Sequence, residues 1–143
     1  MRRLTGEIRL INDYLNPSIP EGSVREMNSL ALAHVGDAVF ELMVRLYNCE
    51  KNEKAVSLHR ATVEMVNASA QARDIQKLRD ALTEEEAAVF RRARNARVNS
   101  VPKNATSGDY HAATGLEALF GWLYLMGRRD RLSELFHMIL EDD

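Results

Sequence analysis

The feature that most constrains the fold is an apolar segment over residues 28–45, NSLALAHVGDAVFELMVR. Apolar residues fill nearly every turn and no proline interrupts the run, so the segment predicts a single helix. Asp37 lies in the middle, and most of its neighbours at helical spacing are apolar. Because a buried, unpaired carboxylate costs several kcal/mol, Asp37 needs a cation, a metal or a group that shares a proton. An arginine at the edge of a packed face would also satisfy it.

A second apolar helix is predicted over residues 111–126, HAATGLEALFGWLYLM, and it carries Glu117. Small residues stand beside both acids, with Gly36 next to Asp37 and Gly121 one turn after Glu117. Because small residues let two helices approach closely, the two carboxylates are able to meet across one interface. Two carboxylates with room for water suit a hard cation such as Mg²⁺. Ordinary helical bundles also contain single inward acids, and the spacing leaves that alternative open.

A basic stretch without acidic residues lies between these two helices. From Ala87 to Gly108 the charged residues are all cationic: Arg91, Arg92, Arg94, Arg97 and Lys103. This local charge stands out because the whole chain has a net charge of −2. The stretch includes a long polar loop, predicted over residues 96–109, whose cations suit phosphates and whose amides suit ribose 2′-hydroxyls. No aromatic residue lies in the loop, which favours duplex over single-stranded RNA, although a solvated surface is the alternative.

The remaining sequence predicts further helices and no convincing strands. Thr83 and Glu86 form a capping-box pattern that opens one of them. These helices are expected over residues 4–15, 55–82 with a break near 67, 83–95 and 128–141. The fold class is therefore all-α, with five to seven helices.

Composition limits the class of protein without pointing to a function. The chain has 143 residues, of which 45% are hydrophobic and 28% charged, as expected for one globular domain. Its single cysteine, Cys49, excludes an intramolecular disulfide and fits a reducing compartment. No stretch is long and apolar enough to span a membrane. We therefore expect a cytoplasmic protein with no membrane partner.

Three motifs in order resemble the ribonuclease III family. VGDAVFEL around Asp37 and GLEALFGWLYL around Glu117 resemble the two halves of its catalytic signature. The segment between them, RRARNARVNSVPKNAT, resembles the basic segment of Mini-ribonuclease III, the compact bacterial branch without a separate double-stranded-RNA-binding domain. The resemblance covers residues 27–140 and implies a ribonuclease III-like helical bundle. We expect a variable lead-in over residues 1–25 and a catalytic domain over residues 26–143.

The resemblance also implies an activity. It identifies the chain as a Mg²⁺-dependent endoribonuclease that cuts double-stranded RNA and leaves 5′ phosphates and 3′ hydroxyls. Asp37 and Glu117 would be the catalytic residues and metal ligands, and the RNA-binding positions would be Arg94, Asn95, Arg97, Lys103 and Asn104. It further implies a homodimer in which each subunit cuts one strand. The expected substrate is a base-paired stalk of precursor 23S ribosomal RNA, with a ribosomal protein as a possible further partner.

The chain departs from the full-length family pattern at two positions. Ala33 and Thr114 stand where full-length ribonuclease III usually has two further acids, a reduction that Mini-ribonuclease III shares. These losses make one alternative conceivable, a non-catalytic module that binds duplex RNA. A second alternative is a helical adaptor whose apolar faces serve a protein partner, with Asp37 in a salt bridge. The first would bind RNA without metal-dependent cleavage, and the second would not bind duplex RNA.

Overall fold

Helices dominate the structure, a computed structural model that describes residues 3–4, 7–8, 11–51, 54–97 and 100–141. The helices in this part of the chain are α1 (Glu21–Arg25), α2 (Ser29–Glu50), α3 (Ala55–Val66), α4 (Ala68–Leu78), α5 (Glu84–Arg94), α6 (Ser107–Leu125) and α7 (Arg129–Leu140). A short 3₁₀ turn, Arg79–Ala81, follows α4. The all-α prediction is confirmed. None of these helices is both long enough and apolar enough to cross a membrane.

The amino-terminal segment differs from its prediction. It contains two short antiparallel strands, β1 (Arg3–Leu4) and β2 (Glu7–Ile8), so the helix expected over residues 4–15 is wrong. Beyond the strands, the Asp13 carboxylate accepts the backbone N–H groups of Leu15 and Asn16. Such side-chain bonds offer the backbone a turn in place of a helix. The division at residues 25 and 26 stays a prediction, although Val24 of α1 is fully buried in the main core.

The predicted helix around Asp37 is confirmed, but it is longer than expected. Asn28 caps α2, its side-chain oxygen accepting a backbone N–H at 2.7 Å. The helix then continues to Glu50, five residues past the predicted end at Arg45. Asn48 lies in this extension with its side chain buried, and its Nδ2 donates to Thr62 Oγ1 of α3 at 3.3 Å. The part of α2 beyond its predicted end thus makes a tertiary contact with α3.

The other helix boundaries follow local capping chemistry. Asn67 separates α3 from α4, and its side-chain oxygen accepts the N–H of Ala70 at 2.8 Å. The capping box is present, with Thr83 Oγ1 and the Glu86 carboxylate each accepting the other's backbone N–H. Gly127, with a φ of 74°, lies between α6 and α7. The sequence predicted all three boundaries to within a residue or two.

The core is organised around α6, which packs against α2, α4, α5 and α7. Phe120 of α6 meets Phe40 of α2 edge to face, with ring centroids 5.2 Å apart. Trp122 is also buried, and the Arg128 guanidinium lies 4.7 Å from its ring centroid. Tyr124 is half-buried. These aromatic residues are therefore mainly core residues, which leaves the polar edge of the α2–α6 contact as the place to look for chemistry.

Candidate active site

The contact between α2 and α6 is made by backbone against backbone. A Cβ atom added to Gly36 would lie 1.5 Å from the carbonyl oxygen of Glu117, and one added to Gly121 would lie 2.1 Å from that of Leu32. Only glycine permits this approach, because any larger side chain would overlap the facing helix. The predicted close approach through small residues is confirmed. It brings Asp37, which follows Gly36, beside Glu117.

The two acidic side chains interact across this contact. Asp37 lies at the exposed edge and Glu117 is half-buried. Burial raises the pKa of the Glu117 carboxyl to about 8, with the negative charge of Asp37 and a hydrogen bond to Asp37 adding to the effect. At neutral pH the pair therefore holds one proton more than two ordinary carboxylates would. No third histidine, cysteine or acid forms a cluster with it among the described residues.

Gln71 is a third polar residue at this site, and the sequence analysis missed it. It belongs to α4 and is 2% exposed. Its amide acts on the Glu117 carboxyl, lowering the pKa against the larger effects of burial and Asp37. Yet its Nε2 atom is buried without a hydrogen bond of good geometry. A signal was available, since Gln71 shares a helical face with the buried Ile75 and Leu78.

The two positions where full-length family members carry further acids supply no carboxylate to the site in this chain. Ala33 is buried, and buried Thr114 donates its hydroxyl hydrogen to the carbonyl of Tyr110 at 3.0 Å. Glu41, one turn after Asp37, pairs instead with Arg45 at 2.8 Å. The described acidic site therefore consists of two carboxylates and one amide.

The residues expected to bind RNA lie mainly on the surface. Arg97, Lys103, Asn104 and Asn95 are exposed, and Asn95 caps the end of α5. Arg94 is half-buried: its guanidinium lies 5.4 Å from the Phe90 ring centroid. Residues 98 and 99 lie outside the described residues. The expected RNA-binding side chains thus line one connection, from the end of α5 to the start of α6.

This connection is shorter than predicted, because α6 begins at Ser107 and not at His111. Thr106 caps the helix, its hydroxyl oxygen accepting the N–H of Asp109 at 3.1 Å. From Ser107 to Glu117 the axis of α6 advances roughly 15 Å. The cationic loop and the acidic pair are therefore held at a fixed distance by one rigid helix.

Tertiary structure places one further cationic side chain beside the basic residues of α5. Arg79, in the 3₁₀ turn after α4, lines a depression of about 250 Å³ together with Arg91 and Arg94 of α5. Asp80 lies in the same depression and offsets part of the charge. No local pattern pointed to Arg79, because it is far along the chain from the basic stretch.

The helical bundle and its acidic pair define a class of protein. A sequence model of the ribonuclease III domain matches residues 30–128, which covers α2 to α6 and both acids. A crystal structure of a protein from Fusobacterium nucleatum has the same fold, with a TM-score of 0.77 and 29% identity over 82% of this chain and 97% of that one. The protein is a ribonuclease that cleaves double-stranded RNA.

Comparison with similar proteins identifies the branch of this family to which the chain belongs. The Mini-ribonuclease 3 of Clostridium tetani is 38% identical over 129 residues, 89% of this chain and 85% of that protein. The Mini-ribonuclease 3 of Symbiobacterium thermophilum is 47% identical over 107 residues, 74% of this chain and 82% of that protein. The chain therefore belongs to the Mini-ribonuclease 3 branch of the ribonuclease III family.

Proposed function

We propose that this endoribonuclease depends on Mg²⁺, that Asp37 and Glu117 hold the metal, and that it matures a base-paired stalk of precursor 23S ribosomal RNA in the cytoplasm. One observation carries the catalytic part of the proposal. The Gly36 and Gly121 contact brings the two carboxylates together on rigid helices at the edge of the core. No charged partner in the described structure neutralises the pair, and Asp37 is exposed to an incoming ligand.

The chemistry of the pair fits a hard divalent cation. Oxygen ligands are those that Mg²⁺ prefers, and with few protein ligands it keeps several waters. Two carboxylates that hold an extra proton at neutral pH would exchange that proton for a cation. When bound, Mg²⁺ would supply the charge that acidifies an attacking water and stabilises the leaving 3′ oxygen. Asp37 and Glu117 would fix the metal, and the burial of Glu117 would strengthen that attraction.

The basic connection would hold the duplex. Arg97 and Lys103 are exposed and free to follow phosphates, while Asn95 and Asn104 offer amides to ribose 2′-hydroxyls. Arg94 would contribute a cation whose position is fixed by packing on Phe90. Because α6 connects this loop to Glu117, a duplex seated on the loop would present its backbone toward the acidic pair.

A homodimer is part of the proposal, because cutting both strands needs two sites. An apolar groove of about 520 Å³ runs between α2 and α7, and its lining includes Val39, Met43 and Leu132. Leu42 lies in this groove on the face of α2 that points away from α6, and 59% of it is exposed. A second copy of the chain would cover this face around a two-fold axis and carry its own acidic pair.

The cellular substrate is proposed from resemblance to Mini-ribonuclease III. A ribosomal protein that remodels the precursor stalk before cleavage belongs to the same proposal. Comparing cleavage of the 23S precursor stalk, with and without its bound ribosomal proteins, against an unrelated duplex of equal length tests both points. Equal cutting of every duplex would remove the substrate assignment without affecting the nuclease activity.

The test of the catalytic proposal is cleavage of an end-labelled RNA duplex with Mg²⁺ or with a chelator. We expect Mg²⁺-dependent products, and a loss of at least about 100-fold in Asp37→Asn, since even indirect partners of metal ligands are worth 10–100-fold. Glu41→Gln, one turn further along α2, is the matched control and is expected to cut normally.

Two outcomes would contradict the proposal. Cleavage by Asp37→Asn at the normal rate, or cleavage in chelator, would remove the metal and its carboxylate from the mechanism. Duplex binding without cleavage by the unaltered protein would favour a non-catalytic RNA-binding module. Absence of binding would leave a helical adaptor.

A further inference from the structure

We infer that Gln71 is a positioning residue for Glu117: its amide N–H donates to the ionised carboxylate and aims the remaining oxygen at the bound metal. The inference rests on the proposed metal-dependent function and extends it to a residue outside both halves of the catalytic signature. Gln71 comes from α4, a third helix that contributes neither of the two acids.

The first argument is where the side chain lies. Gln71 is 2% exposed on the inner face of α4, which packs along α6. Asn67 caps the start of α4 and fixes that turn of helix by accepting the N–H of Ala70. The amide therefore reaches Glu117 from a rigid part of the core and not from a mobile surface side chain.

The second argument is that this buried amide reduces the stability of the folded protein. Nε2 of Gln71 is buried without a hydrogen bond of good geometry. A buried donor without a partner destabilises the folded state, and an apolar side chain of the same shape would avoid that destabilisation. A glutamine at this position is explained by a state in which its N–H groups are used. An ionised Glu117 carboxylate provides that state, because it accepts strong hydrogen bonds and lies beside the amide.

The third argument is the type of residue. An arginine or lysine would also hold Glu117, but its positive charge would repel a divalent cation. Leucine or methionine would fill the space and leave the carboxylate free to rotate. A neutral donor orients one carboxylate oxygen and leaves the negative charge for the metal. Groups that hold metal ligands in this way typically change metal affinity or activity by 10–100-fold.

The test replaces Gln71 with methionine, which keeps the length and volume but removes the donor. Gln76→Met, on the exposed face of the same helix, is the matched control. Two quantities are measured without RNA: Mn²⁺ binding by electron paramagnetic resonance, and stability to urea in chelator. We expect Gln71→Met to bind Mn²⁺ about 10-fold more weakly, while its metal-free stability is equal to or higher than that of the unaltered protein. Gln76→Met is expected to change neither quantity.

A purely structural role predicts a different pattern. If Gln71→Met is destabilised in chelator and binds Mn²⁺ normally, the inference is overturned, and equal Mn²⁺ affinity with equal stability overturns it as well. Gln71→Leu, a second variant without a donor, gives the same reading if the methionine variant does not fold. Absence of Mn²⁺ binding by the unaltered protein would contradict the proposed metal site itself, which distinguishes that failure from failure at Gln71.

Discussion

Replacing Glu117 with glutamine is expected to stabilise the metal-free protein at high pH and to leave its stability nearly unchanged near pH 4.5. Burial and the neighbouring Asp37 raise the pKa of the Glu117 carboxyl from 4.5 to about 8. The folded state therefore binds this proton more tightly than the unfolded state does. Its contribution is fully present below the unfolded pKa and is lost as the pH rises through the folded value.

The magnitude follows from the size of this rise. A pKa that increases from 4.5 to about 8 corresponds to at most about 5 kcal/mol of lost stability at alkaline pH. Because Glu117 is only half-buried, solvent reduces this to roughly 3 kcal/mol. Glutamine cannot ionise, so the variant should avoid the loss. The difference in unfolding free energy should grow steadily between pH 5 and pH 8 and then level off.

The assay is urea denaturation in chelator across this pH range, at one fixed protein concentration because dimer formation also contributes to stability. Glu41→Gln is the control. Its exposed ion pair with Arg45 is worth at most about 1 kcal/mol, so its effect should stay small throughout. A Glu117→Gln difference that is independent of pH would refute the reasoning. It would mean that Glu117 does not share a poorly solvated site with a second negative charge.

Four further substitutions test the α2–α6 contact, a buried ion pair and the cap of α2. Gly36→Ala should destabilise the fold by about 3 kcal/mol, since its methyl group would overlap the α6 backbone. Gly108→Ala has open space around it and should stabilise α6 by about 0.5 kcal/mol. Thermal melting should therefore show a lower melting temperature for the first variant and a slightly higher one for the second. Arg131→Met should cost about 3–5 kcal/mol in urea, because buried Glu86 would lose two 2.8 Å hydrogen bonds, and a cost below about 1 kcal/mol would contradict this. Asn28→Ala should cost about 1 kcal/mol through loss of the α2 cap, with cleavage per folded molecule unchanged.

Local chemistry accounts for the parts of the fold that were predictable. The caps at Asn67, Thr83 and Gly127 act within a few residues, so the sequence contains both partners of each bond. The helix predicted for the amino-terminal segment was wrong for a related reason. Its apolar spacing suggested a helix, but Asp13 bonds its own neighbouring backbone instead. The predicted end of α2 was five residues short. The added residues include Asn48, whose hydrogen-bond partner Thr62 lies in the next helix, and local spacing contains no sign of that contact.

The acidic pair shows the same division between what local sequence and tertiary structure decide. The sequence alone determined that Asp37 and Glu117 lie on two apolar helices beside glycines that allow close contact, and its three ordered motifs predicted the family. Only the tertiary structure decided that Glu117 is half-buried, that Asp37 stays at the edge, and that Gln71 of α4 reaches them. Proton affinity and hydrogen bonding depend on solvent exclusion by groups far apart in the chain, and residue spacing within one helix does not contain that information.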